Sequence, residues 1–416
     1  MNRPTDLVWR VVTSLRLTIV CLVALMILVV ACTLAQVSLG TWGAVEVYMR
    51  SWLVWWQVPG TSFLIPVLPG GALVGLVLLV NLVSAQTKRL ERSWKKAGIW
   101  IAHAGLVLLI MGEFVTGLAQ RETQLAIEEG QTVNYVESPR EMELALVDVT
   151  DPAYDDVFSV VGPVLARRSS LAVPGTPVTL LVRGYHRNAF LGNRRPQDPP
   201  SIATVGVGTQ VVVVPEAPVS RDEEINRSVA FVEPVVAGQS QGVFLVSNAI
   251  DAPQTFTAGG RTYQLSMRHW REYLPYAVTL RDFRHDVYPG TQIPKNFSSQ
   301  VHIVNPARGE SRDVLIYMNQ PLRYEGKAFY QSSFGKNDTL SILQVVENPG
   351  WLLPYLSTLL VMIGLLVQFG ITFQRSMARQ ARAREAAAAA LPASAAQATQ
   401  PAKPARGTQP AATTEA

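Results

Sequence analysis

Charge is scarce in this 416-residue sequence: Asp, Glu, Lys and Arg make up 16% of it, against about 25% in soluble globular proteins. Hydrophobic residues make up 48%. That excludes a dominantly disordered chain, which needs low hydrophobicity and high net charge. Cysteine is scarcer still, with only Cys21 and Cys32, so a disulfide-rich secreted scaffold is excluded. Residues 121–350 contain no cysteine at all. That segment cannot perform thiol–disulfide chemistry, and its own core must hold it together. The five histidines are His103, His186, His269, His285 and His302. No two lie within four residues, so no local metal pair is visible. The patterns HExxH, CxxC, GxSxG and the P-loop do not occur. A self-sufficient enzyme has nothing here to stand on.

What the sequence does have is long runs without charge. Residues 17–45, 51–87 and 348–374 carry none, and residues 97–120 hold only His103 and Glu113 as titratable groups. A bilayer core of about 30 Å needs roughly 20 apolar residues in a helix. The sequence therefore predicts four transmembrane α-helices. Lys and Arg beside the helix ends set the orientation. Arg3, Arg10 and Arg16 precede the first helix; Lys88, Arg89, Arg92, Lys95 and Lys96 lie between the second and third; Arg375, Arg379, Arg382 and Arg384 follow the fourth. Four crossings put these three places on one side, which is predicted to be cytoplasmic, with both termini there. Residues 121–347 then lie outside, in a periplasm or its equivalent.

Dividing the charge this way dissolves an apparent basic character. The net charge of the whole chain is +5. Residues 121–350 hold 21 basic and 25 acidic residues, so the surplus belongs to the membrane-flanking parts. It is a topology signal and leaves a nucleic-acid partner nothing to bind; the partner it implies is the lipid bilayer.

The outer segment is rich in short β-branched and aromatic runs separated by Gly, Pro, Asn or Asp. Runs at residues 143–149, 177–182, 202–214, 229–236, 242–247, 262–267, 277–283, 300–304, 313–318, 328–332 and 340–346 predict an antiparallel, sandwich-like all-β domain. Residues 189–201 read as a long exposed loop. Residues 42–60 hold four tryptophans, and a Trp-rich loop of this kind predicts an interfacial anchoring helix. The organisation is residues 1–120 with three helices, 121–347 as the exported domain, 348–375 as the fourth helix, and 376–416 as a low-complexity cytoplasmic tail. Val29-Val30-Ala31-Cys32 looks like a lipoprotein cleavage box, but the apolar run continues past Cys32 and no polar tether follows. Without lipidation, Cys21 and Cys32 are small apolar residues of the first helix.

His103 stands apart from the other histidines. It lies about six residues inside the third helix, roughly 9 Å from the basic loop. An ionisable group at that depth is costly and is a functional candidate by default. Neutral imidazole is also a good axial ligand for haem iron. The same helix carries Gly98, Gly105 and Gly112 at intervals of seven, a smooth stripe that permits close approach of another helix. Two readings stay open: a ligand held between helices, or a histidine hydrogen-bonded to a neighbouring helix with nothing bound.

The layout of three helices, a large outer β domain and a fourth helix resembles the ResB (CcsB) family of cytochrome c biogenesis proteins. Residues 288–301 (YPGTQIPKNFSSQV) and 318–334 (MNQPLRYEGKAFYQSSF) look like that family's exported segments, and Asn348-Pro349-Gly350 and His103 match as well. The resemblance covers most of residues 10–375. It implies a membrane subunit of a system II cytochrome c synthase, working with a CcsA-type membrane partner in haem export and covalent haem attachment to exported apocytochrome c. It implies a non-catalytic subunit of the haem lyase complex, with haem b shared transiently and His103 as one ligand to the haem iron. It further implies an apocytochrome surface that includes Thr291, Asn296, Phe297, Asn319 and Tyr330. A non-haem membrane-anchored scaffold or envelope assembly protein is the alternative.

Overall fold

A computed structural model describes residues 4–61, 63–89, 91, 93–221, 224–291, 293–336 and 338–390. Arg3, Arg92, Gln292 and the tail from residue 391 lie outside the described residues. Four helices are long and apolar enough to cross a membrane: Leu15–Tyr48, Gly71–Arg89, Ala97–Ala119 and Leu353–Ala390. We call them the first to fourth spans. Between the third and fourth lies an antiparallel all-β domain. The predicted fold class is therefore the observed one.

A short helix, Pro4–Val12, precedes the first span and leaves Val8, Trp9 and Val11 exposed. The chain breaks at Thr13–Ser14, where the Ser14 side chain accepts from the Arg16 backbone N–H. Asn81 of the second span fixes this corner. Its amide donates to the Val12 and Ser14 carbonyls at 2.6 and 3.1 Å and accepts from the Thr18 hydroxyl at 2.6 Å. Buried among apolar helices, an amide must have such partners.

The third and fourth spans pack closely through small residues, as the glycine stripe predicts. A Cβ on Gly98 would lie 2.4 Å from the Gln368 nitrogen, and one on Gly105 would lie 2.7 Å from the Ser357 oxygen. Gly364 returns the contact: its Cβ would lie 2.4 Å from the Ala102 nitrogen. The fourth span also runs further than expected. It stays helical to Ala390, so residues 376–390 are not irregular tail. Arginine and alanine are both good helix formers, which carries the helix past the apolar run.

The Trp-rich segment is not an interfacial helix. The first span continues to Tyr48 past a kink at Gly40, and Trp55 and Trp56 lie on a hairpin, Leu53–Gln57 with Leu64–Pro69. Val54 turns into a small core with Cys21, Leu28 and Val74, while Trp55 and Trp56 face out. Aromatic and β-branched residues flanking a Pro-Gly turn favour a hairpin over a helix. Both cysteines are buried free thiols inside the first span.

The β domain grows directly out of the spans. Strand Arg121–Glu128 follows the third span, strand Leu340–Glu347 precedes the fourth, and the two pair with Arg121 opposite Glu347. Asn348 clamps the join. Its amide donates to Thr116 Oγ1 and Gln120 Oε1, and its Oδ1 accepts from the Gly350 N–H at 2.8 Å. A Cβ on Gly350 would lie 3.2 Å from Val115, so a small residue suits that corner. On the other side, Ser220 Oγ and Arg221 Nε donate to the Leu39 and Ser38 carbonyls of the first span.

Among the described residues one ten-stranded sheet dominates. Its longest strands, Thr132–Asp148 and Arg261–Val287, each serve two cores. One half of each, including Leu144, Leu146, Leu265 and Met267, packs against a five-stranded sheet built around Val178–His186 and Val229–Val236. The other halves, including Val136 and Leu280, curl with Pro294–Asn305, Glu310–Tyr317 and Lys327–Gly335 around a second core of Val301, Ile303, Ile316 and Phe329. The pairing slips between His269 and Arg271 and between Tyr273 and Val278, where one core gives way to the other. Residues 189–201 are not wholly a loop, since Ala189–Asn193 pairs with Val211–Pro215.

Candidate functional site

Within the membrane the candidate is His103. Its Nδ1 lies 2.9 Å from the Ile99 carbonyl one turn earlier. A carbonyl can only accept, so Nδ1 carries a proton, and in the neutral ring the lone pair is then on Nε2. This is the arrangement that presents an imidazole as a metal ligand. His103 is half-buried. It sits five residues from Gly98, about 140° around the helix, so it faces away from the fourth span. Phe114 lies three turns further along the same side, and a Cβ on Gly75 of the second span would lie 3.7 Å from its ring. The glycine stripe and the histidine thus use different faces of one helix: the stripe binds the fourth span, and His103 looks toward the side of the second span. His103 lies about 24 Å below the outer end of the helix at Ala119.

The five outer residues fall into two places. Thr291 is exposed at the tip of the hairpin joining Arg261–Val287 to Pro294–Asn305, and its N–H and hydroxyl both donate to the Tyr288 carbonyl. Asn296 and Phe297 follow on the second strand of that hairpin, opposite Asp286 and His285. Asn319 occupies a left-handed turn, φ 64°, just beyond Tyr317, which pairs with Ser298. These four share the end of the sheet remote from the spans. Tyr330 does not join them. It lies on Lys327–Gly335, opposite Gln344, and lines a cavity over the start of the fourth span. Tyr330 lies four residues along the sheet from the remote end at Leu340, about 13 Å away. None of the five is near His103.

At the remote end the structure adds residues that the sequence reading passed over. His285 lies between Phe297 and Phe334, with ring centres 4.7 and 4.4 Å away. Its Nδ1 meets Asp338 Oδ1 at 3.2 Å, and its buried Nε2 has no partner. Around this cluster Val287, Tyr288, Ile293, Leu315, Tyr317 and Met318 are exposed. The turn Pro289-Gly290 held the signal: counting outward from it places His285 across from Phe297.

At the membrane end, charges are paired across strands. Lys327 Nζ lies 2.8 Å from both Glu272 and Glu347. Burial pulls the Lys327 pKa down, but the two carboxylates outweigh it and leave it raised. The bond to Lys327 holds the Glu347 carboxyl below its ordinary value. Nearby, burial and the surrounding carboxylates push the Tyr276 phenol upward, and its hydroxyl finds no partner.

Residues 234–342 match the model of the ResB-like family. A stretch of 93 residues, 22% of the chain, is 33% identical to Protein NrfI of Wolinella succinogenes. The match covers 10% of that protein, so the chain spans only about a tenth of the curated relative. The family match contains the hairpin tip, the His285 cluster and Tyr330, and it leaves the spans, with His103, outside.

Proposed function

We propose, from the match of residues 234–342 to the ResB-like family, that the chain is the membrane subunit of a system II cytochrome c synthase. In this reading it works with a CcsA-type partner. Haem b is cargo, carried outward and attached to exported apocytochrome c, and the chain is a non-catalytic subunit of the haem lyase complex.

The observation that carries the reading is His103. The chain offers one intramembrane imidazole, oriented by the Ile99 carbonyl and with a free Nε2. This chain would supply one nitrogen donor to the haem, and any further donor would come from the partner. Two neutral imidazoles add no buried charge, which suits a site inside a membrane. The donor set therefore fits a shared haem. The chain's own task is to hold the imidazole and bring the partner against the second and third spans.

The β domain serves the polypeptide substrate. The remote hairpin presents exposed apolar side chains beside Asn296, Phe297 and Asn319, suited to an unfolded segment. Thioether bonds need thiols, and residues 121–350 have none; the thiols belong to the apocytochrome.

The test is co-purification with the partner. A Soret absorbance band in the wild-type complex, with covalent haem on an exported cytochrome, is expected. A complex that assembles without haem supports the membrane-anchored scaffold instead.

A further inference from the structure

We propose that the cavity over the start of the fourth span binds one phospholipid of the leaflet on the β-domain side, through its phosphodiester. The inference is independent of the haem reading. The cavity measures about 490 Å³ and is lined by Arg323, Lys327 and Tyr330 from one hairpin and by Trp351, Pro354 and Tyr355 from the start of the span.

Arg323 is the key group. Its guanidinium lies 4.6 Å from the centre of the Trp351 ring. The other charges here are already matched: Lys327 sits between Glu272 and Glu347, and Glu325 meets Arg308 at 2.5 Å. Among the described residues Arg323 is the cavity cation that no carboxylate engages. Held over the Trp351 ring and engaged by no carboxylate, the guanidinium has N–H groups to offer for the paired bonds that a phosphate accepts.

The surroundings point to a lipid as the source of that phosphate. The cavity opens at the end of a membrane span, where Trp and Tyr mark the headgroup level. Trp351 and Tyr355 are exposed there. Below Tyr355 the side chains Leu359, Met362 and Leu366 continue on the same helix face, all exposed. The opposite face, with Ser357, Val361 and Gly364, is taken up by the third span. A phosphate beside Arg323 would therefore have an apolar stripe for its acyl chains directly beneath it.

Native mass spectrometry of the full chain released from nanodiscs tests this. Discs containing phosphatidylglycerol should leave one retained lipid, and Arg323→Gln should weaken its retention about tenfold. Arg323 is exposed, so the substitution should leave the thermal midpoint unchanged. Arg284→Gln, at the remote end of the domain, should retain the lipid like wild type. Inorganic phosphate in millimolar excess should not displace it. Equal retention by wild type and Arg323→Gln would overturn the proposal. So would displacement by inorganic phosphate, which would indicate a soluble anion, or no retained lipid at all, which would indicate a protein seat.

Discussion

Gly98→Ala is the sharpest probe of how the spans pack. The added Cβ would lie 2.4 Å from the Gln368 nitrogen and 2.5 Å from the Gly364 oxygen. Ordinary contact needs about 3.4 Å or more, so the fourth span must retreat by about 1 Å along this seam. Both obstructing atoms are backbone, so no rotamer change relieves the clash. Overpacking of this kind costs about 1–3 kcal/mol. Gly117→Ala is the control. It lies in the same helix with nothing within 4 Å of its Cβ, so alanine's helix preference should stabilise it by up to about 1 kcal/mol. The assay is reversible unfolding of the purified protein in bicelles, followed by tryptophan fluorescence. Gly364→Ala should behave like Gly98→Ala, and the double variant should cost less than the sum, because both side chains push on one contact. If Gly98→Ala is as stable as Gly117→Ala, the two spans do not approach as described.

Three other outcomes follow. His285→Phe preserves the stack and removes the unpartnered Nε2 but gives up the contact to Asp338, so stability should stay within about 1 kcal/mol of wild type; a loss above about 1 kcal/mol in chemical denaturation would refute this. Replacing residues 288–293 by a two-residue Asn-Gly turn should leave the fold intact and lower cytochrome maturation, and full maturation with an assembled complex would remove the hairpin tip from the substrate surface. The Asp148 carboxyl is held below its ordinary value by the Thr150 hydroxyl and by Arg261. A lowered folded pKa gives stability that is present above the unfolded value near pH 3.9 and is lost as pH falls through the lower folded one. Asp148→Asn should therefore lower stability at neutral pH and flatten acid unfolding below about pH 4; an unchanged acid limb of the stability curve would contradict the pairing.

The spans were legible because uncharged length is a strong signal that no tertiary contact can mimic. The glycine stripe was legible too, since Gly98, Gly105 and Gly112 recur on one helix face. The Trp-rich segment misled because tryptophan reports interface depth and says little about backbone shape; the Pro59-Gly60 turn marked the hairpin. Short apolar runs at 262–267 and 277–283 looked like two strands but belong to one, Arg261–Val287. The polar residues between them, Arg268, His269, Arg271 and Glu272, mark the boundary where the strand leaves one core for another, and local patterning cannot show that. The outer site residues were found by motif and then separated by register. Tyr330 pairs toward the membrane end, while Thr291, Asn296, Phe297 and Asn319 gather at the far end. His285 and Asp338 became visible only through pairing across the sheet.

The central claim is that His103 holds haem inside the membrane jointly with a partner. The direct measurement is haem content and the Soret spectrum of the complex purified with His103→Ala, with and without added imidazole. The account predicts a marked loss of haem that imidazole partly restores, with the complex still assembled. Wild-type haem content in His103→Ala, with an unchanged spectrum and normal cytochrome c yield, would contradict it.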